Sequence, residues 1–267
     1  MANLKDTQNE RDDRKLAIDR VGVKNLRFPL RIRDRDQSQQ HTVATVTMAV
    51  DLPHHYKGTH MSRFVEILHA HGRELTVASI AAMPRELLSR LNARKAHVEM
   101  RFPYFRAKRA PVTKAEGLLD YGVVFAVDAE GDEIDYVVTV EVPVATLCPC
   151  SKAISERGAH NQRGVVTFSV RFHQPIWIED LIELVEASAS SELYSVLKRP
   201  DEKFVTEAAY DNPVFVEDLV RSVAQKANSH KKIKWFKVEA ENFESIHNHN
   251  AWAVIEGGNK AVNQAFQ

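Results

Sequence analysis

The sequence predicts an α+β fold in which helices cover one face of antiparallel sheets. Runs of alternating apolar and polar residues, such as 163–173, are typical of half-buried strands. Other stretches, such as 177–188, have the pattern of helices. Each half of the 267-residue chain also follows the same order of strands, two helices and strands. This coarse repeat indicates two related α+β units in tandem.

Eight runs are expected to form strands, and the first two are separated by a polar turn that predicts a hairpin. The strand runs are 21–33, 41–52, 96–108, 118–130, 132–144, 163–173, 231–242 and 250–258. The segment 199–203 is interpreted as a polar connection in the second half. Four further runs, 63–72, 76–95, 177–188 and 212–228, are expected to form helices.

Capping and breaking residues refine the two helices of the first half. Thr59 or Ser62 is expected to cap the first of them, which should end at Gly72. Pro84 is expected to interrupt the second, because proline removes a backbone donor and clashes with the preceding turn.

The chain divides into three segments along its length. Residues 1–18 are polar and charged and are interpreted as a mobile N-terminal arm. Residues 19–150 are expected to form the first module and 151–267 the second. Since no low-complexity linker separates the modules, they are expected to form one continuous body.

Composition limits the classes of function. The 36 basic residues balance the 36 acidic ones, which removes the global electrostatic case for binding nucleic acid. No apolar run is long enough to span a membrane, and the charged start is not a signal peptide, so a cytoplasmic location is expected. The two cysteines, Cys148 and Cys150, are too close in sequence for an unstrained disulfide. Metal binding or catalysis is the alternative use for such a pair.

The densest chemical motif is Leu-Cys-Pro-Cys-Ser-Lys at 147–152, followed by His160. Pro149 disfavours a helical conformation at Cys148, which therefore lies on extended backbone. If the chain stays extended, the sulfurs of Cys148 and Cys150 point to the same side. Thiolates and imidazoles are ligands for zinc-like metals. Because the chain offers only a small number of such ligands, an open catalytic site fits better than a closed structural one. The alternative is that both cysteines are small core residues at a strand end.

Glu244 begins a second motif, Glu-Ser-Ile-His-Asn-His, between two apolar runs. The pair His247 and His249 presents two imidazoles on one side of an extended chain, and imidazoles can donate and accept protons near neutral pH. A polar turn with exposed histidines is the alternative.

Other charged residues have a structural and a functional interpretation. Glu217 lies at a helix start, where it interacts favourably with the helix dipole, but a carboxylate can also accept two hydrogen bonds from a guanine edge. Glu202 either faces water or serves as a carboxylate ligand. Lys57 and Arg63 flank a helix start that would suit phosphate oxygens. A basic patch, defined as Arg106, Lys108, Arg109 and Lys114, is interpreted first as a solvated strand edge.

Taken together, these motifs resemble the type IB GTP cyclohydrolases. The resemblance is carried by Lys-Gly-Thr-His-Met-Ser-Arg-Phe at 57–64, the cysteine motif at 147–152 and Gly-Ala-His-Asn-Gln-Arg at 158–163. Phe-Val-Glu-Asp at 215–218 and the motif at 244–249 extend it over nearly the whole chain. The resemblance implies two tandem tunnelling-fold modules that assemble as a homotetramer. It also implies conversion of GTP and water to formate and 7,8-dihydroneopterin triphosphate, the entry to folate synthesis.

The resemblance further implies a role for each motif residue. One divalent metal ion per site, zinc first with manganese or iron as alternatives, would be held by Cys148, His160 and Glu202. Glu217 would anchor guanine, while Lys57, Arg63 or the basic patch would meet the triphosphate. The catalytic surroundings would be Cys150, Glu244, His247 and His249. Which cysteine binds the metal stays open.

Two other functions are compatible with the motifs. The nitrile reductase of queuosine synthesis, another tunnelling-fold enzyme, uses a cysteine nucleophile and a nicotinamide cofactor. A metal-stabilised scaffold without turnover is the second. Metal content separates the reductase from a cyclohydrolase, and the paired histidines speak against a scaffold.

Overall fold

The computed structural model describes residues 8, 10–36 and 39–258, and within these ranges it has the predicted α+β fold. The strands are β1 (Ile18–Arg33), β2 (Gln39–Leu52), β3 (Glu74–Leu75), β4 (Lys95–Arg109), β5 (Glu116–Glu130), β6 (Glu133–Leu147), β7 (Asn161–Phe172), β8 (Ile233–Asn242) and β9 (Ala251–Gly258). The helices are α1 (Met61–His71), α2 (Val77–Leu91), α3 (Pro149–Ile154), α4 (Ile178–Glu186), α5 (Arg199–Asp211) and α6 (Val216–Ser229). Among the described residues, no helix is both long and apolar enough to cross a membrane.

Contacts group the chain into two units that interleave along the sequence. The described residues up to 103, together with 124–137, form the first unit; 104–123 and those from 138 onward form the second. The strand order is β3-β1-β2-β4-β5-β6 in the first and β4-β5-β6-β7-β8-β9 in the second, because β4, β5 and β6 contribute residues to both. Residue 150, the expected module boundary, lies within α3.

The first unit contains the predicted hairpin. β1 and β2 pair antiparallel, with Phe28 opposite Ala44, and their inward residues pack under α1 and α2. Part of the predicted arm, residues 8 and 10–17, is described, and the carbonyl of Glu10 accepts a hydrogen bond from the amide of Lys57 at 3.1 Å. Residues 1–7 and 9 lie outside the described residues.

Two expectations about the helices of the first unit are wrong. His60, rather than Thr59 or Ser62, is the N-cap of α1, and it makes no side-chain capping bond. Pro84 lies inside α2 without interrupting it. Three fully buried side chains at helical spacing, Ile80, Met83 and Leu87, hold α2 against the core. This packing outweighs the single backbone bond that proline removes.

In the second unit, every second residue of the central strands faces the helices. Val166, Phe168 and Val170 of β7 are fully buried, and they lie opposite Ala240, Val238 and Phe236 of β8, respectively. Helix α6 packs against β8 and β9 and buries its apolar stripe there, including Leu219 and Val223. This alternation continues to the strand ends, where the polar residues of the site begin.

The segment interpreted as a polar connection is the start of a helix. Asp201 lies in the first turn of this helix, α5. Its carboxylate accepts hydrogen bonds from the amides of Lys198, Val112 and Thr113 and from the Thr113 hydroxyl. Pro200 stands in the first turn, where its missing amide costs nothing. The expectation failed because the helix start depends on long-range bonds to residues 112–113.

The basic patch is solvated only in part, because Arg109 and Lys114 are exposed whereas Arg106 and Lys108 are paired with carboxylates. Arg106 pairs with Glu183, and Lys108, only 8 % exposed, pairs with Glu186 at 2.7 Å. Helix α4 supplies both carboxylates. The register of β4 with β2 covers only residues 96–101, so the patch lies beyond this pairing. Arg106 and Lys108 are therefore neutralised within the protein.

Replacing Asp201 with Asn should lower the stability of the fold. Burial alone would raise the pKa of Asp201, but its hydrogen bonds from Thr113, Lys198 and Val112 outweigh burial and hold this pKa well below the ordinary value. The carboxylate therefore stabilises the protein above the unfolded pKa of about 3.9, and the contribution is lost as pH falls further. At neutral pH we expect Asp201→Asn to lower the Tm by about 2–8 °C. Exposed Asp211→Asn on the same helix is the control. Thermal unfolding from pH 3 to pH 7 tests both; equal Tm values for parent and Asp201→Asn would contradict the role.

Candidate active site

The cysteine motif turns a corner at the end of β6. Cys148 has extended backbone, as predicted, and is the N-cap of α3; its sulfur accepts a hydrogen bond from the amide of Ser151 at 3.4 Å. Its own amide donates to the carbonyl of His160 at 3.1 Å. Cys150, however, lies in the first turn of α3, so the expectation of a fully extended motif is wrong. Pro149 explains the helix start, since proline is favoured at this position.

His160 precedes β7 and is surrounded by oxygen atoms on one side of its ring. Its Nδ1 atom lies 3.1 Å from Gln162 Oε1, 3.3 Å from Ser245 Oγ and 4.0 Å from Glu244 Oε2. The Gln162 amide donates in turn to Glu244 Oε1 at 3.4 Å. Gln162 therefore links the imidazole to the carboxylate. Because amide and carboxylate oxygens accept, the tautomer that fits these neighbours donates from Nδ1 and leaves Nε2 as the free nitrogen.

Glu217 reaches the same region from the first turn of α6. The chain before this helix is fixed to β6, because the amide of Val214 donates to the carbonyl of Leu147 at 3.0 Å. This bond places the start of α6 beside the cysteine motif. The Glu217 side chain is exposed and has no ion pair with any described residue, so its carboxylate oxygens can accept hydrogen bonds from a ligand.

The connection between β8 and β9 carries the two histidines. His247 and His249 stack with ring centroids 5.0 Å apart and an interplanar angle of 15°. Both are exposed, and the segment is irregular, as the turn interpretation predicts. Asn250 donates to Glu241 at 2.7 Å and fastens the end of this connection to β8.

These segments surround one cavity of about 340 Å³ in the second unit. Its lining includes Cys148, Cys150, His160, Glu217, Glu244, His247 and His249. Thus seven of the ten site residues expected from the sequence meet at one place. The combination of thiols, imidazoles and carboxylates offers proton donors, proton acceptors and metal ligands within one small volume.

The other three expected residues lie elsewhere. Glu202 is exposed on α5 and is not part of the cavity lining. Lys57 and Arg63 belong to the first unit, where Lys57 pairs with Glu10 at 2.8 Å and Arg63 donates to the carbonyl of Arg90 at 2.6 Å. None of the lining residues is a lysine or arginine.

A preformed set of metal ligands is not present in the described part of the chain. No three His, Cys, Asp or Glu side chains among these residues converge closely enough to hold an ion. Cys148 and His160 nevertheless line one cavity and are joined through their backbones, and a thiolate with an imidazole is suitable for zinc. The donor chemistry fits a metal, whereas the third ligand is not in place.

Two polar lining residues, Gln162 and Asn242, were not assigned a role from the sequence. Gln162 stands in the His-Asn-Gln-Arg block, two residues after His160. Asn242 occupies an inward position of β8, in register with Phe236, Val238 and Ala240. A polar residue at an apolar position of an alternating strand is the signal that could have identified it.

Comparison with known proteins decides the family. Residues 4–253 match the model of the type I GTP cyclohydrolase folE2 family. The chain belongs to this family. It is 65 % identical over 259 residues to GTP cyclohydrolase FolE2 of Akkermansia muciniphila, covering 96 % of this chain and 98 % of the relative. The FolE2 protein of Methylococcus capsulatus is 57 % identical over 253 residues, with 95 % and 94 % covered.

Solved structures support the fold of this folE2-family chain. Uricase from Arthrobacter globiformis superposes with a TM-score of 0.55 at 11 % identity, covering 91 % of this chain and 94 % of the uricase. A uricase from Bacillus fastidious also gives 0.55, at 6 % identity, with 92 % and 93 % covered. At such low identity the likeness concerns the fold alone, and it confirms the expected tunnelling fold.

Gln162→Leu should change the tautomer of His160. In the parent protein we expect the proton on Nδ1, because Gln162 Oε1 accepts from it at 3.1 Å. Removing this acceptor should increase the population with the proton on Nε2. Long-range ¹H–¹⁵N NMR of the metal-free protein measures the two populations directly. Asn161→Ala, at the exposed neighbouring position, is the control. An unchanged tautomer ratio in Gln162→Leu would show that Gln162 does not orient the ring.

Proposed function

We propose that this folE2-family protein is a type IB GTP cyclohydrolase, which converts GTP and water to formate and 7,8-dihydroneopterin triphosphate. The observation that carries the proposal is the meeting of seven motif residues around one cavity. Family membership supports it, since the relatives from Akkermansia muciniphila and Methylococcus capsulatus are named GTP cyclohydrolase FolE2. This reaction is the first step of folate synthesis, and the proposal includes that pathway.

Glu217 binds the guanine base in this proposal. Its carboxylate accepts hydrogen bonds from the ring N1–H and the exocyclic amine, a planar match for two donors on one edge. No cation among the described residues neutralises it, so these acceptors remain available. Fixing the base in this way aligns C8 with the reactive side chains and raises the rate by positioning.

The imidazoles and the thiol of Cys150 move protons. His247 or His249 protonates N7 of guanine, which makes C8 more electrophilic, and then serves the later ring-opening steps. Stacking of the two rings keeps both within the same cavity. Glu244 accepts a hydrogen bond from the Gln162 amide and lies beside His160, where it holds this imidazole in one orientation.

We propose one divalent ion per site, zinc first and manganese or iron as alternatives. Cys148 and His160 would hold it, with Glu202 as the third ligand after a rearrangement that brings α5 closer. When bound, such an ion lowers the pKa of a bound water towards neutrality. The orientation of His160 favours binding through Nε2, because Nδ1 is engaged by Gln162.

Assembly as a homotetramer and a cytoplasmic location complete the proposal. Strand β9 ends the strand order of the second unit, and its outward residues Trp252 and Val254 are 58 % and 40 % exposed. An apolar strip on an edge strand is suited to contact with another subunit.

The triphosphate needs positive charge, but no lysine or arginine lines the cavity. Lys57 and Arg63 would therefore bind the triphosphate only if another subunit of the assembly supplied them.

Incubation of the purified protein with GTP tests the proposed function. We expect equal amounts of formate and of the fluorescent oxidised pterin, measured after oxidation of the product, with zinc or manganese added. ATP is the control substrate, since adenine lacks the paired donors that Glu217 accepts. Release of phosphate without formate would assign the protein to a different reaction.

Glu217→Gln should reduce GTP turnover severely. The amide offers one acceptor and one donor where the base needs two acceptors, so we expect a loss in kcat/KM of about 2–4 kcal/mol, or roughly 30- to 1000-fold. Asp218→Asn, at the next position of α6, is the matched control, because Asp218 pairs with the neighbouring Arg221. Near-normal kinetics of Glu217→Gln would show that Glu217 has only a structural role, the interaction of its carboxylate with the helix dipole.

The two cysteines should separate metal binding from catalysis. Cys148 would supply a thiolate ligand in the same cavity as His160, so Cys148→Ala should lose metal and activity together. Cys150→Ala should lose activity and keep most of the metal. Elemental analysis and the GTP assay on the same preparations measure both properties. A metal-free Cys150→Ala and a metal-loaded Cys148→Ala would reverse the two roles.

A further inference from the structure

Lys152 ends the cysteine motif and has no role in the chemistry proposed above. Its ammonium group donates a hydrogen bond to the carbonyl of Tyr210 and lies 4.3 Å from the centre of the Tyr210 ring, a favourable cation–π distance. Tyr210 lies in the last turn of α5, so these contacts join the motif to a helix that is distant in sequence. Lys152 does not line the cavity itself. Any effect that it has on the cavity therefore passes through the residues that it holds in place.

Helix α3, which carries Lys152, is not held by buried apolar side chains. The helix is six residues long, and none of its residues is buried. Its largest apolar side chain, that of Ile154, is 84 % exposed. Because an isolated helix of this length is not stable in water, α3 depends on polar contacts with its surroundings.

One side of α3 is fastened to His160. The Ser151 hydroxyl accepts a hydrogen bond from the His160 amide at 3.2 Å and donates to the carbonyl of Cys148 at 3.1 Å. Lys152 adds the contact on the other side, with the end of α5. Cys148, the N-cap of α3, and Cys150, in its first turn, both line the cavity. The directions of the two thiols therefore depend on how these contacts hold the helix.

The carbonyl of Tyr210 needs a donor from outside its own helix. The amide of Val214, four residues later, donates instead to the carbonyl of Leu147 at 3.0 Å. Residue 213 is a proline and has no amide to offer. The Lys152 ammonium supplies the missing donor, and it places a positive charge at a helix C-terminus, where the helix dipole favours one. The contact thus stabilises both segments, which keeps Lys152 and α3 in one position.

We propose that Lys152 is a positioning residue for the proposed reaction: by binding the end of α5, it holds α3 so that the thiols of Cys148 and Cys150 face the cavity beside His160. This inference rests on the proposed function, which assigns the two thiols to metal binding and proton transfer. Arginine can replace both contacts of Lys152, because a guanidinium group donates hydrogen bonds and stacks on aromatic rings. Methionine keeps the length of the side chain but has neither charge nor donor.

Hydrogen exchange in the metal-free protein tests the hold on α3 directly. The amides of Lys152 and Ser155 donate within this segment, to the carbonyls of Cys148 and Ser151. We expect Lys152→Met to speed exchange of the peptide that covers 149–155, whereas Lys152→Arg should exchange like the parent. Lys203→Met is the matched control, since Lys203 is an exposed lysine of α5 that pairs with Glu207. Parent-like exchange of 149–155 in Lys152→Met would overturn the proposal.

Cobalt(II) reports on the geometry of the thiols, because a cobalt–thiolate bond absorbs in the near ultraviolet. We expect Lys152→Met to weaken cobalt binding, and to lower kcat for GTP at saturating metal, each by roughly 10- to 100-fold. The KM for GTP should change little, because Glu217 lies on α6, whose start is fixed to Leu147 by a separate bond. Lys152→Arg should restore most of the cobalt absorption and of kcat.

A purely structural role of Lys152 gives a different result. If Lys152→Met lowers the Tm but keeps parent-like cobalt binding and kcat, Lys152 only caps α5 and the proposal is wrong. If this variant does not fold, Tyr210→Leu replaces it, because this change removes the ring and keeps the carbonyl; it should cause a smaller change in the same direction, and no change would contradict the proposal. A parent protein that neither binds cobalt nor converts GTP would instead overturn the proposed function, and hydrogen exchange still tests the hold on α3.

Discussion

The backbone hydrogen bonds at the end of β6 are the constraint on which the candidate site depends. Leu147 accepts from Val214, and Cys148 donates to His160, so two distant segments are fixed to one strand end. These bonds involve main-chain atoms and are therefore insensitive to side-chain identity. They bring the cysteine motif, the start of β7 and the start of α6 together, and the side chains of the site then follow from the local conformation of each segment.

Much of the fold could be predicted because it depends on local patterning. Alternation predicted eight of the nine described strands, all but the two-residue β3, and the β1–β2 hairpin follows from two apolar runs around a polar turn. The failures have non-local causes. Pro84 is tolerated because the face of α2 around it is buried, and α5 begins where it does because Asp201 binds the loop at 112–113. Neither contact can be read from the neighbouring residues in sequence.

The candidate site was predictable to the extent that motifs mark chemistry. The thiols, His160 and the paired histidines were identified from residue type and spacing, and the cavity brings them together. The sequence could not show that Cys150 starts a helix, because an extended chain satisfies the same spacing. Asn242 was missed because one polar residue at a strand end is ordinary until its neighbours are known. Its buried Oδ1, which has no hydrogen-bond partner among the described residues, is visible only in the folded protein.

The central claim is that the cavity between the end of β6 and the start of α6 holds the guanine base. A crystal structure of Cys150→Ala soaked with GTP tests this claim most directly. We predict that the Glu217 carboxylate lies about 3 Å from both N1 and N2 of the base, with C8 on the side of Cys148 and His160. Guanine bound outside this cavity, or bound within it with C8 directed away from these two residues, would contradict the account.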